Sequence, residues 1–273
     1  MNQALLLFRW CCVGLAALVV PDFGTAAEPP VPLVRAHAHN DYEHPRPLLD
    51  ALQQGFCSVE ADVWLVEGEL LVAHDRDQVQ GGRTLESLYL TPLHERVRAH
   101  GGRVYPEGPG FTLLIDFKSE AEATYEVLKE LLKKHAAMLT RFADGEVKTN
   151  AVTVIISGNR PAELIKSEPD RLAALDGRLS DLDDLPLAHV MPLISDNWRN
   201  HFQWRGEGEM PEAERAKLRD LVQRVQSAGR RLRLWASPDV AVAWAVQWEA
   251  GVDLINTDKL AGLADFLKQQ PAR

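Results

Sequence analysis

Ser58-Val59-Glu60-Ala61-Asp62-Val63-Trp64 alternates apolar residues with residues that carry chemistry. Successive side chains of a strand point to opposite faces, so Glu60 and Asp62 share one face. Short apolar or alternating runs of this kind recur along the chain, at 33–39, 58–64, 112–118, 152–157, 172–179, 189–195, 232–236 and 252–256. Between them lie helix-like stretches, for example 84–100, 120–135, 211–228 and 238–250, the last two starting at Pro, which suits a first helical turn. Eight strands alternating with helices imply a parallel sheet, and its economical closure is a (β/α)8 TIM barrel, an α/β fold formed as one domain over residues 28–273.

A barrel of this type works at the carboxyl ends of its strands, which demands polar residues there, spaced by two. The sequence meets the demand: His37 and His39 end the first strand, Glu60 and Asp62 lie on the second, Asp116 and Lys118 end the third, and Asn256 and Asp258 end the eighth. Three additions decorate the frame. A hairpin-like extension over 68–75 delivers His74 with Asp75, a second over 138–150 carries the turn pair Asp144-Gly145, and a loop over 196–210 holds Trp198, His201, Phe202 and Trp204. Aromatics this dense suit a cover or binding wall over the barrel mouth.

The composition sets the outer limits. With 46% hydrophobic and 25% charged residues, the 273-residue chain belongs with globular proteins. Thirty basic against thirty-nine acidic residues give −9, which excludes a broad electrostatic footprint for nucleic acid or an anionic membrane. Residues 1–27 combine an early Arg9, an apolar run over 10–20, a Pro21 break and Thr25-Ala26-Ala27, the pattern of a secretory signal peptide. The apolar run falls well short of the roughly 20 residues that span a bilayer, so no stable membrane anchor is expected. Its removal takes away Arg9 and Asp22 together with Cys11 and Cys12, leaving Cys57 as a single thiol that reads as a small buried hydrophobe.

Glu60, Asp62 and Asp116 would converge near the mouth, where three carboxylates repel unless a hard divalent cation such as Mg2+ or Ca2+ joins them. Lys118 could neutralise a substrate phosphate or balance the acidic cluster. His39 and His74 each end an apolar run, and two imidazoles facing a phosphodiester divide the labour of base and acid.

These residues, in this order, resemble a known family. His39, Gly55 with Val59-Glu60-Ala61-Asp62-Val63, Leu71-Val72-Ala73-His74-Asp75, Leu114-Ile115-Asp116-Phe117-Lys118, Leu234-Trp235-Ala236 and Gly251-Val252-Asp253-Leu254-Ile255-Asn256-Thr257-Asp258 look like the glycerophosphodiester phosphodiesterase and phosphatidylinositol-specific phospholipase C-like superfamily. Within it the chain looks nearest to the branch with fungal mitochondrial-inheritance protein 6-like sequences. The resemblance implies a (β/α)8 fold, one Mg2+ or Ca2+ on Glu60, Asp62 and Asp116, and phosphodiester cleavage by His39 and His74, with a cyclic phosphate where the substrate offers a neighbouring hydroxyl. Lys118 becomes the phosphate clamp, and Asn40, Trp235, Trp198 and Trp204 the substrate pocket. Asn40-Asp41 stands where typical glycerophosphodiesterases carry Arg-Gly, Glu43-His44-Pro45-Arg46-Pro47 replaces their Glu-Asn-Thr run, and Asp116 replaces the commoner Glu, as in spider-venom sphingomyelinase D-like relatives.

The expectation is a secreted or periplasmic, metal-dependent phosphoric diester hydrolase. It would act as a monomer on a small-molecule or lipid-headgroup phosphodiester, such as a glycerophosphodiester or (lyso)phospholipid, and not on nucleic acid. Two alternatives stay open. His37-Ala38-His39 also looks like the H-x-H of metal-dependent amidohydrolases, which use zinc-type sites, although later strand-end histidines are missing. An exported, non-catalytic barrel could instead hold a ligand with its aromatic loop.

Overall fold

The alternating runs fold as strands. They are β1 (Leu33–Ala38), β2 (Phe56–Val66), β3 (Glu69–Val72), β4 (Phe111–Phe117), β5 (Arg141–Ala143), β6 (Glu146–Lys148), β7 (Val152–Gly158), β8 (Asp170–Arg171), β9 (Ala173–Gly177), β10 (Leu193–Asn197), β11 (Arg231–Trp235) and β12 (Ile255–Thr257). Helices α1 (Leu49–Gln54), α2 (Thr91–Ala99), α3 (Ala121–Lys134), α4 (Ala162–Ser167), α5 (Trp198–His201), α6 (Glu212–Ser227), α7 (Ala241–Ala250) and α8 (Leu260–Lys268) separate them. The computed structural model describes residues 30–184 and 186–271, so the proposed signal segment over 1–27 lies outside the described residues.

Eight strands pair in parallel in the order β11-β10-β9-β7-β4-β2-β1-β12, and a parallel bridge between Arg233 and Leu254 joins the two ends. The result is a nearly closed TIM barrel, as the strand count requires. Outward residues such as Val59, Ala61, Leu113 and Ile115 join the main core under the helices. Leu114, Ile155, Leu193 and Leu254 form a separate small cluster, and Leu114 shares the face of Asp116 by strand alternation. The barrel interior is thus a plugged core that turns polar toward the carboxyl ends.

Among the boundaries that differ from the sequence reading, three have a visible physical cause. The sixth strand starts at Leu193, because residues 187–191 form a turn closed by Val190 N–H to Leu187 O. The eighth starts at Ile255, because the Asp253 side chain accepts the Leu232 N–H at 2.8 Å where a strand backbone would. The last long helix begins at Ala241, three residues past Pro238, with the Asp239 carboxylate accepting from Trp244 Nε1–H at 2.9 Å. Cys57 is buried, donates to the Gly55 carbonyl and has its thiol pushed up to about 12 by burial, which fits the small-hydrophobe reading.

Candidate active site

Register builds the acidic cluster. In the β2–β4 ladder Asp62 stands opposite Asp116, with Glu60 two residues below on the same face. One carboxylate oxygen from each of Glu60, Asp62 and Asp116 lies within 4.8 Å of the others. Gly158 ends the next strand at φ +67, where a Cβ would stand 2.5 Å from Asp116 Oδ1; only glycine leaves room for that carboxylate.

β2 runs past the barrel and returns as the antiparallel β3, pairing Val63 with Val72 through Val66 with Glu69. This hairpin brings His74 back over the strand that launched it, with Nδ1 3.0 Å from Asp62 Oδ2. Across the mouth His39 follows β1, and its Nδ1 lies 2.8 Å from Asp258 Oδ1 just beyond β12. The two histidines are therefore each anchored through Nδ1 by a different carboxylate, which leaves both Nε2 atoms for chemistry.

Electrostatics differ sharply among these groups. Burial opposes ionisation of Glu60, but the Arg233 guanidinium beside it, helped by His37, holds its carboxyl well below the usual range. Asp62 is pushed up by burial and by Glu60, against the pull of Lys118 and Tyr42. Lys118 Nζ stands 3.0 Å from Asp62 and 2.9 Å from Asp116, and these carboxylates outweigh burial and raise its pKa. For His39, burial acts downward, yet the Asp258 hydrogen bond and the nearby Glu60 charge leave it above the ordinary histidine value.

A cavity of about 180 Å³ at the mouth is lined by His39, His74, Glu60, Asp62, Asp116 and Lys118, and also by Asn40 and Trp235. Three further lining residues, Ser157, Arg178 and Arg233, have no part in the sequence reading. Arg233 is buried in the barrel, bonded to Glu60 and to Asn256 Oδ1 at 2.7 Å. Its signal was available: an arginine two residues before Trp235 on an alternating strand faces the same way. Arg178 donates to Asp176 Oδ2 at 2.9 Å, and Ser157 donates to the same oxygen at 2.8 Å. A larger recess of about 390 Å³ lies outside the barrel against α3, where Lys129 and Arg141 are already paired with Glu168 and Asp170.

Two pocket assignments are corrected. Trp198 and Trp204 do not line the mouth cavity; Trp198 and Phe202 are fully buried and Trp204 nearly so. Trp198 packs on Phe202 at 4.3 Å between centroids and donates to the Trp204 carbonyl, while Trp204 donates to the Glu207 carbonyl. The loop folds onto the main core because three large rings gain more by leaving water than by covering the mouth.

The carboxylate cluster could hold a hard cation. Tyr42, His74 and Lys118 all bind Asp62 Oδ2, whereas the buried Asp62 Oδ1 has no hydrogen-bond partner. An unpartnered buried carboxylate oxygen beside two further carboxylates suits a hard divalent cation. The zinc alternative fares worse: His37 is buried, with Nδ1 2.7 Å from Ser58 Oγ and Nε2 3.3 Å from Glu60, and burial with Arg233 lowers its pKa to about 3. Both nitrogens are spent, so no H-x-H pair is presented.

Residues 27–106 match the AIM6-like phosphodiesterase domain. Fold and domain together make the chain a phosphodiesterase-like enzyme on a TIM barrel. It is 31% identical to "Altered inheritance of mitochondria protein 6" of Eremothecium gossypii, over 86% of this chain and 69% of the relative. The chain belongs to the altered inheritance of mitochondria protein 6 family.

The fold recurs in solved structures. One is a calcium-dependent phosphoinositol-specific phospholipase C from a Pseudomonas species (TM-score 0.52, 12% identity, 84% of this chain and 89% of that one). Another is a glycerophosphodiester phosphodiesterase from Parabacteroides distasonis (TM-score 0.52, 15% identity, 86% and 96%). The expected secreted or periplasmic location is corrected by the family: relatives named for mitochondrial inheritance point away from export. Among the described residues no helix is long and apolar enough to cross a membrane.

Proposed function

We propose that this phosphodiesterase-like enzyme hydrolyses a small phosphodiester, a glycerophosphodiester or (lyso)phospholipid headgroup, by two-histidine acid and base catalysis. The observation that carries the reading is the pair of histidines, anchored through Nδ1 by Asp258 and Asp62 and bordering one cavity with three carboxylates and Lys118. Asp258 accepts from His39 Nδ1–H, so Nε2 is the free base that takes the proton of the attacking hydroxyl. Asp62 accepts from His74 Nδ1–H, so Nε2–H is directed to the leaving alcohol oxygen.

Lys118 has three ammonium donors, two of them given to Asp62 and Asp116; the third is available to a phosphoryl oxygen. Glu60, Asp62 and Asp116 would hold one divalent cation, which when bound supplies positive charge to the phosphoryl group. A cavity of about 180 Å³ supports a headgroup-sized diester over an extended polymer, as does the chain's net charge of −9. Purified full-length protein should release alcohol from glycerophosphodiesters or lysophospholipids with Mg2+ or Ca2+, faster than it cleaves oligonucleotides. No release from any diester of such a panel, bis(p-nitrophenyl) phosphate included, overturns the reading.

A further inference from the structure

Among the described residues, the hydroxyl of Tyr42 is the one neutral group that touches the proposed acid and its carboxylate together. Its oxygen lies 2.7 Å from Asp62 Oδ2, 2.8 Å from the Asn40 amide and 3.2 Å from His74 Nδ1. The ring is buried, at 4% exposure, on a single helical turn directly after β1. That turn is pinned twice: the buried Asp41 carboxylate accepts from Leu48 N–H and Tyr89 Oη–H, and the Tyr42 carbonyl accepts from Arg83. Asn40 enters the turn at φ 47, a left-handed conformation that asparagine tolerates. The phenol oxygen is thus held in place by the fold and not by the site it faces.

Proton counting fixes what it does there. A phenol has one proton, and the carboxylate at 2.7 Å is the strongest acceptor in reach. The oxygen lone pairs then accept from His74 Nδ1–H and from the Asn40 amide, whose nitrogen and oxygen are interchangeable by a flip. His74 is half exposed, at 48%, just past the end of β3, so Asp62 alone would leave the ring free to pivot about a single bond. Two acceptors on one N–H remove that freedom.

We propose that Tyr42 is a positioning residue for His74, holding the imidazole so that Nε2–H points at the leaving alcohol oxygen. The inference rests on the two-histidine reading above. In the step it serves, the attacking hydroxyl gives its proton to His39 Nε2 and its oxygen bonds to phosphorus, while the P–O bond to the leaving group breaks, its electron pair goes to the alcohol oxygen, and that oxygen takes the His74 Nε2 proton; His39 then gives a proton to solvent water and His74 regains one from it.

The test compares two diesters sharing one phosphoryl part in the full-length protein: one leaves as glycerol, which needs a proton, the other as p-nitrophenolate, which does not. Tyr42→Phe should lower kcat on the glycerol diester by about 10- to 100-fold with KM little changed, and lower kcat on the p-nitrophenyl diester by less than about threefold. His74→Asn, run alongside, should show the same selectivity at larger size. If His74→Asn is selective and Tyr42→Phe slows both diesters equally, Tyr42 is structural and the proposal fails alone. Equal losses in His74→Asn sink the two-histidine reading and the proposal with it. Should Tyr42→Phe fail to fold, Asn40→Gly trims the same network while keeping the positive φ; it must show the selective loss in smaller measure, and an equal loss on both diesters overturns the proposal.

Discussion

Two regions of the chain carry dense chemistry in sequence, and the fold treats them oppositely. At the ends of β1, β2 and β4, charged groups are crowded into a cavity, with an unpartnered carboxylate oxygen and a lysine shared between two acids. In the segment from Trp198 to Trp204, aromatic residues that look like a binding wall become core. The first region costs stability, since buried carboxylates face one another; the second supplies it, each large ring burying on the order of 150–250 Å². Polar residues on an alternating strand have no choice of face, whereas a loop places its rings wherever they lose most water contact.

The sharpest way to break the contrast is Asp62→Asn. It keeps the volume and removes a charge from the crowded side, so activity should fall by about a thousandfold while the melting temperature holds or rises. An active but strongly destabilised variant would make Asp62 a structural ion-pair residue. On the other side, Trp198→Ala should cost about 3–5 kcal/mol in urea denaturation, with the ranking of substrates unchanged once the folded fraction is accounted for. A changed ranking would return the aromatic segment to the pocket.

Asp41 measures the cost of burying acids near the mouth. Burial, opposed by the Leu48 and Tyr89 hydrogen bonds, pushes its pKa from 3.8 up to about 6, so the folded state holds the proton more tightly than the unfolded state. That contribution is fully present below the unfolded value and is lost as pH rises through about 6. Wild-type stability should include a fall of about 2–3 kcal/mol between those limits that Asp41→Asn lacks. Identical pH dependence of the two proteins in denaturant titrations would refute it.

The smallest effect is expected at Asp258, more than half exposed at the rim. Asp258→Asn keeps an oxygen that can accept from Nδ1–H but removes the charge that helps raise His39, so burial meets less opposition. The acid limb of kcat/KM, set by the need for neutral His39, should therefore move to lower pH, with a maximal rate reduced about tenfold by the loosened ring. A limb that stays in place, or moves upward, would take the base role from His39.

How much of the site could be read in advance follows from distance along the chain. Glu60 and Asp62 are two residues apart on one strand, and Asp116 with Lys118 repeats the spacing on the next, so alternation alone faces them inward. His74 was legible because a short hairpin can only return to the strand it left. Arg233 left a trace in the alternation of its strand, whereas Tyr42 left none, since a single turn after β1 has no periodicity to assign its direction. The aromatic loop misled because ring density is the same whether a segment lines a pocket or fills a core.

By itself the sequence determined the eight-strand alternation, and with it the barrel and the inward face that carries the carboxylates, because side-chain direction along a strand is a local, period-two property. Only the tertiary structure decided which partners those groups meet. His39 and Asp258 are 219 residues apart, and Glu60 and Arg233 are 173. Such pairs exist because β12 closes against β1 and β11 stands across the barrel, a consequence of ring closure that no stretch of sequence expresses locally.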